Sequence, residues 1–284
     1  MSIRELQHYA GNYLEVDFVP FKDPPRRSRS KKSKPTTEAQ EYVNQRNRER
    51  AIYEWLHENF TNADYIIHPT YSPAFLPPDE ATALKDRRNF IARLRRLYRR
   101  NGKELKAMLI LEQGEQNGRF HHHIIINGGV PREDIERCWG MGYCDSDRLQ
   151  FSEHGLEGLS KYLVKSAVLS EDGTSSRCTF KTFSHTRNLR RPPPPKERRV
   201  SSKVFNRLWD DFENRTMWEE RYKDYYFVSC QLNYNSEYGE RYLTVKLCKK
   251  TAKLDVICNL DYGGLQAFTT ASGRARQMKN RPPS

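Results

Sequence analysis

Apolar side chains recur along the chain with two different spacings, which predict an ordered series of helices and strands. Between residues 79 and 100 they return every three or four positions, the period of an amphipathic helix, and Asp79 is its predicted N-cap. Residues 105–112 and 118–127 form β-rich runs on either side of a glycine-containing loop, which predicts a hairpin. Shorter patterns predict strands at 64–71, 148–151 and 178–183, and helices at 36–60, 131–139 and 155–169.

This order of elements predicts an α+β domain over residues 62–190. We expect an antiparallel central sheet with helices on its faces, in a split βαβ, ferredoxin-like arrangement. Residues 1–61 are predicted to be a basic N-terminal extension with one helix, because residues 24–35 combine prolines with like charges. Residues 191–284 are predicted to hold a Pro-rich linker, a helix at 201–218, a hairpin at 225–234 and 241–249, and a disordered tail.

The charge of the chain points to a polyanionic partner. Its 284 residues include 49 Lys+Arg and 36 Asp+Glu, so the formal net charge is +13, which favours nucleic acid over a merely basic solvated surface. A hydrophobic fraction of 36% excludes wholesale disorder, and no apolar run approaches the length of a membrane helix. The six cysteines form no Cys-x-x-Cys pair and are predicted to be free thiols.

Three consecutive histidines open the strand predicted at 118–127. Because side chains alternate between the faces of a strand, His121 and His123 share one face and His122 lies on the other. Two imidazoles on one face can share a divalent metal ion, whereas the simpler interpretation is that they are ordinary buried or exposed histidines. Glu112 would join them only if opposing residue numbers in the hairpin have an odd sum, and an even sum would favour Gln113. A mixed histidine and carboxylate set suits Mg²⁺ or Mn²⁺.

A second pattern lies on the helix predicted at 155–169. Tyr162 and Lys165 are three residues apart and therefore share one helix face. A tyrosine hydroxyl with an unperturbed pKa of ~10 is a weak nucleophile unless a neighbouring charge or metal assists it. Alone, this pair is commonplace on surface helices, so its weight comes from its combination with the histidines.

Together these motifs resemble the HUH endonuclease superfamily. They are most similar to single-tyrosine rolling-circle replication initiator (Rep) proteins of phages and plasmids, near the filamentous-phage gene II proteins. Residues 66–71 resemble the first motif, Glu112 with residues 118–123 the second, and Tyr162 with Lys165 the third. Residues 183–189 resemble a further Ser-Arg-Asn-Leu element. The resemblance covers about residues 62–190, with His68-Pro69 in place of the usual Leu-Thr and His122 in place of an apolar residue.

The resemblance implies an HUH endonuclease fold and a metal-dependent nicking reaction. Mg²⁺ or Mn²⁺ held by His121, His123 and Glu112 would polarise a phosphate of single-stranded DNA at a replication origin. Tyr162 would attack it, giving a 5′-phosphotyrosine and a free 3′-OH primer, and Lys165 would stabilise the charge. Phosphate-backbone contacts are expected from the arginines near these motifs, which are Arg87, Arg88, Arg95, Arg96, Arg119 and Arg187.

The wider expectation is replication in the cytoplasm of a bacterial host cell. The sequence contains no Walker A loop, so we expect a host helicase to unwind the DNA and a host polymerase to extend the primer. No membrane partner is expected. The alternatives are a relaxase or transposase of the same superfamily, a non-catalytic basic DNA-binding protein, or a general RNA- or metal-binding module.

Overall fold

The computed structural model describes residues 3–21, 38–113, 118–165, 183–235 and 239–252, which form two antiparallel sheets joined by helices. The strands are β1 (Ile3–Ala10), β2 (Tyr13–Pro20), β3 (Tyr65–Pro69), β4 (Ala107–Gln113), β5 (Phe120–Ile126), β6 (Cys144–Arg148), β7 (Ser184–His185), β8 (Lys196–Val200), β9 (Tyr225–Asn235) and β10 (Glu240–Lys249). The helices are α1 (Glu38–Asn59), α2 (Glu80–Arg100), α3 (Arg132–Arg137), α4 (Glu157–Lys165), α5 (Ser202–Asp210) and α6 (Arg215–Arg221).

The central sheet has the strand order β6-β3-β5-β4-β7, and every pairing in it is antiparallel. Helices α2 and α3 pack on one face, against Ile124 and Ile126 of β5. Helices α1 and α4 cover part of the other face, against Ile125 of β5 and Met108 and Ile110 of β4. This arrangement confirms the predicted α+β fold with an antiparallel sheet and helices on its faces.

A second sheet, the terminal sheet, joins the two ends of the chain in the order β8-β1-β2-β10-β9. Its β1–β2 hairpin lies in residues that the sequence analysis predicted to be an extension with one helix, so that prediction missed two strands. The hairpin is stable because Val16 and Phe18 of β2 are fully buried, and because β2 pairs with β10, where Leu243 lies opposite Phe18. Its partner strand comes from the far end of the sequence.

Other boundaries also differ from the predictions. The helix expected at 201–218 is two helices, because Asn214 ends the connection and caps α6 through its side chain. The strand expected at 148–151 instead ends at Arg148, and part of the predicted linker forms β8 at the sheet edge. The predicted hairpin at 225–249 is confirmed as β9 and β10. Residues 24–35, 166–182 and 253–284, which include the predicted tail and most of the 178–183 strand, lie outside the described residues.

Helix α1 lies between the two sheets and contacts both. Ile52 and Leu56 are fully buried against the central sheet. On the opposite side, the Arg50 guanidinium lies 2.5 Å from carboxylate oxygens of Glu15 and Asp17 on β2. Such buried charges are tolerated because each has an opposite partner. Within the described ranges, no helix combines the length and apolar character needed to cross a membrane.

His57 of α1 fixes the start of α4 and makes the fold sensitive to acid. Its Nε2 accepts a hydrogen bond from the Leu156 backbone N–H at 2.9 Å, and its Nδ1 lies 2.8 Å from the Tyr53 carbonyl. The accepting Nε2 requires a neutral ring, and burial lowers the pKa of His57 from 6.5 to about 4.

We therefore expect acid to destabilise the protein through His57. Because the folded pKa is the lower one, the unfolded chain binds the extra proton, and stability falls as pH drops from 6.5 toward 4. The full effect is about 3 kcal/mol at most. Denaturant unfolding at pH 7.5 and 4.5 should show a smaller loss for His57→Gln, which can still accept from Leu156 but does not titrate. Identical pH profiles for wild type and variant would contradict this assignment.

Candidate active site

The strand register decides which residue accompanies the histidine pair. Glu112 of β4 lies opposite His121 of β5, so the sum of their numbers, 112 + 121 = 233, is odd. Glu112 therefore shares a face with His121 and His123, and Gln113 lies on the other side of the sheet. We call this surface of the central sheet the His face.

His123 is the centre of the contacts on the His face. Its Nε2 lies 2.6 Å from Oε2 of Glu112, and its Nδ1 lies 2.9 Å from Nδ1 of His68. The Tyr162 ring meets the His123 ring edge-on, with 5.3 Å between centroids. His123 is only 5% exposed, whereas Tyr162 is 49% exposed. A buried imidazole is thus flanked by a carboxylate and by a tyrosine accessible to a large ligand.

His121 lies on the same face near the loop end of β5. Burial lowers its pKa, Glu112 acts in the opposite direction, and His123 and Arg119 lower it further. A lowered pKa keeps the imidazole neutral at neutral pH, which leaves a nitrogen lone pair available to a ligand. The pair His121 and Glu112 therefore offers one nitrogen and one carboxylate donor from adjacent strands.

His122 points into the opposite face, as the alternation predicted. It is 1% exposed, its Nε2 lies 2.9 Å from the Tyr71 hydroxyl, and its ring contacts Trp139 edge-on. Burial lowers the pKa of His122 to about 3, so the ring is neutral. Its role is in the core beneath α2, with no access to the His face.

The donor set on the His face fits a hard divalent cation. Two imidazoles and one carboxylate on neighbouring strands are a combination that Mn²⁺ and Mg²⁺ accept. In the described part of the chain, however, no three His, Cys, Asp or Glu side chains already converge on a common point. His123 is instead hydrogen-bonded at both ring nitrogens. Ion binding by this set would therefore require the Glu112–His123 hydrogen bond to open.

Helix α4 holds Tyr162 over the His face through contacts on both sides. Leu163 and Val164 are fully buried against the central sheet. Glu157, in the first turn, forms ion pairs with Lys161 at 2.5 Å and with Lys246 of β10 at 2.7 Å. These contacts hold the pKa of Glu157 near 2 against the opposing effect of its burial. Lys165 is the last residue of α4, three positions after Tyr162.

The predicted DNA-binding arginines fall into two groups on different sides of the molecule. Arg119 is exposed and precedes His121 by two residues at the start of β5. The α2 arginines belong to the helix that covers the opposite face of the sheet. Arg87 is partly buried there, 3.3 Å from the Ser184 hydroxyl. The exposed members of that group are Arg88, Arg95 and Arg96, and the exposed Arg187 follows β7.

His68 is a site residue that the sequence analysis did not assign. It noted His68 only as a departure from the first motif, because the position of β3 relative to β5 could not be read from the sequence. The signal was the alternation within residues 65–69, which puts His68 on the same face as Ile66. Only the pairing of β3 with β5 brings that face next to His123.

Comparison with known proteins identifies the region that carries these residues. No curated protein matches the chain. A family model for replication-associated proteins, of the ORF2 and gene II protein type, matches residues 65–167. The matched region runs from β3 through α4 and includes Glu112, His121, His123, Tyr162 and Lys165. The match supports a Rep-like, replication-associated role for this chain.

Proposed function

We propose that this protein is a rolling-circle replication initiator that nicks single-stranded DNA at an origin through a covalent 5′-phosphotyrosine. The observation that carries the proposal is the position of Tyr162, with its ring 5.3 Å from that of His123, on the sheet face that also presents His121 and Glu112. A nucleophile beside a histidine–carboxylate set is the arrangement that phosphoryl transfer requires.

His121, His123 and Glu112 are the residues that would hold the ion. A bound Mg²⁺ or Mn²⁺ supplies Lewis-acid polarisation of the scissile phosphate. The neutral imidazoles contribute nitrogen lone pairs, and the carboxylate supplies negative charge that favours a cation over water. The side-chain rearrangement needed is confined to the Glu112–His123 contact.

Tyr162 provides the covalent step. Its oxygen forms a bond to phosphorus as the P–O3′ bond breaks; the hydroxyl proton is lost to solvent, and the departing 3′ oxygen takes up a proton. One phosphodiester replaces another, so the step is close to isoenergetic and reversible. Lys165, three residues later on α4, is proposed to stabilise negative charge at the phosphate. The free 3′-OH then serves as primer for a host polymerase in the bacterial cytoplasm, with a host helicase opening the duplex.

The test is adduct formation on a randomised single-stranded DNA pool with Mn²⁺. A 5′-phosphotyrosine retains the fragment 3′ of the cut, so a 3′-end label should migrate with the protein in denaturing gels. A 5′-end label should appear on shorter strands that a polymerase can extend. The adducted peptide should contain Tyr162. Absence of any adduct with Mn²⁺ and with Mg²⁺ would contradict the proposal and favour a non-catalytic DNA-binding protein.

A non-catalytic binding role has its own support in the exposed arginines of α2. They belong to the helix that covers the face opposite the His face, so they can contact DNA without contributing to cleavage. Arginines in such a row neutralise phosphates and release counterions. We therefore assign α2 to backbone binding of DNA that flanks the cleaved strand.

Substituting Arg95 and Arg96 together by Ala should weaken DNA binding and its salt dependence without affecting cleavage of a short oligonucleotide. If each contacts one phosphate of a single strand, the slope of log K against log salt should fall by about 1.4. Affinity is measured by fluorescence anisotropy from 50 to 300 mM salt, roughly the range over which such effects are large. Arg119→Ala is the comparison on the His face and should reduce cleavage of the short oligonucleotide. An unchanged slope for the α2 double variant would exclude it as a DNA contact surface.

A further inference from the structure

His68 contacts His123 although it belongs to a different strand. The two Nδ1 atoms are 2.9 Å apart, and the rings are nearly perpendicular, with centroids separated by 5.1 Å. The β3–β5 register pairs Ile67 with Ile124, and its continuation sets His68 opposite His123. The contact is therefore fixed by backbone pairing in the middle of the sheet rather than by a loop.

This contact assigns the two nitrogens of His123 to different partners. Nδ1 is engaged by His68, whereas Nε2 is directed at Glu112. Between two imidazole nitrogens, one must donate a hydrogen and the other must accept it. His123 can hold a cation only through a nitrogen without hydrogen, and Nε2 is the one that faces the carboxylate. In that state Nδ1 of His123 carries the hydrogen, and Nδ1 of His68 is the acceptor that it needs.

We propose that His68 is a positioning residue that holds His123 in the orientation and tautomer required to bind the divalent ion of the nicking site. The inference rests on the proposed function and extends it to a residue outside the three motifs. Metal-ligating histidines generally donate their second nitrogen to a neighbouring acceptor, which orients the ring and raises its basicity. A second imidazole can fill that place because it can either donate or accept.

Direct ligation by His68 is the competing role. The structure favours positioning, because Nδ1 of His68 points at the His123 nitrogen that faces away from Glu112. One ion cannot occupy the Nε2 side of His123 and also lie between the two Nδ1 atoms. The two roles predict different numbers of nitrogen ligands, which makes them separable.

The experiment measures Mn²⁺ binding to the full chain without DNA, for wild type, His68→Leu and His68→Asn. Leucine has similar bulk but no hydrogen-bonding atom, and should weaken Mn²⁺ binding by about 10- to 100-fold. Asparagine places an amide oxygen or nitrogen near the position of Nδ1, and should keep the affinity within about threefold. Thermal unfolding verifies that each variant is folded. Pulsed electron paramagnetic resonance counts the nitrogen ligands, with two expected for both wild type and His68→Asn.

Each outcome decides the role of His68. Wild-type affinity in folded His68→Leu, or weak binding in folded His68→Asn, would overturn positioning by hydrogen bonding. Three nitrogen ligands in wild type and two in His68→Asn would make His68 a ligand instead. If the wild type itself failed to bind Mn²⁺, the ion site of the proposed function would fall, and the role of His68 would fall with it. Normal wild-type binding with an unaffected His68→Leu variant would reject this inference alone.

Discussion

Replacing Tyr162 with Phe should abolish the covalent protein–DNA adduct while leaving the protein folded and able to bind Mn²⁺. The substitution removes only the oxygen that would bond to phosphorus and keeps the ring that packs against His123. Because about half of the side chain is exposed, little stability should be lost. Adduct yield with a 3′-labelled strand should fall on the order of 10⁴-fold or more, as when a nucleophile is removed from other covalent enzymes.

Tyr143→Phe is the matched control for this experiment. Tyr143 lies within the region matched by the family model and is 71% exposed, but it immediately precedes β6 rather than lying on α4. It should form the adduct at the wild-type rate. If Tyr162→Phe still formed an adduct, peptide mapping would identify another nucleophile, and the assignment of α4 to catalysis would be wrong.

The sequence predicted the site in as much detail as local periodicity allows. Alternation along one strand was enough to separate His121 and His123 from His122, because a strand has only two faces. It was not enough to choose between Glu112 and Gln113, because that choice depends on pairing between strands across a loop. The register settles the geometric question by pairing Glu112 with His121.

Contacts between distant segments explain what the sequence did not predict. His68 is 55 residues from His123, and nothing in its local pattern shows that β3 lies beside β5. The β1–β2 hairpin was overlooked for the same reason, since its partners β8 and β10 come from the C-terminal part of the chain. Helices such as α2 were predicted closely because their hydrophobic face and the Asp79 cap are local signals.

The second large effect is expected from the histidine triplet, where neighbouring substitutions should have opposite consequences. His123→Ala removes the imidazole that contacts Glu112, His68 and Tyr162, so Mn²⁺ binding and adduct formation should both be lost. His121→Ala should have the same effect, because it removes the other nitrogen donor of the His face. Neither variant should lose much stability compared with a substitution in the core.

His122→Ala should instead destabilise the fold and leave the chemistry intact. The ring is buried between Tyr71 and Trp139, and its removal leaves a cavity and a Tyr71 hydroxyl without its imidazole partner. The expected loss in the free energy of unfolding is about 2–4 kcal/mol. Adduct formation per folded molecule should remain near the wild-type level. Denaturant unfolding combined with active-site titration separates the two quantities for all three variants. If His122→Ala lost adduct formation as completely as His123→Ala but kept wild-type stability, the assignment of these residues to opposite faces would be refuted, because a side chain beneath α2 cannot reach a phosphate bound on the His face.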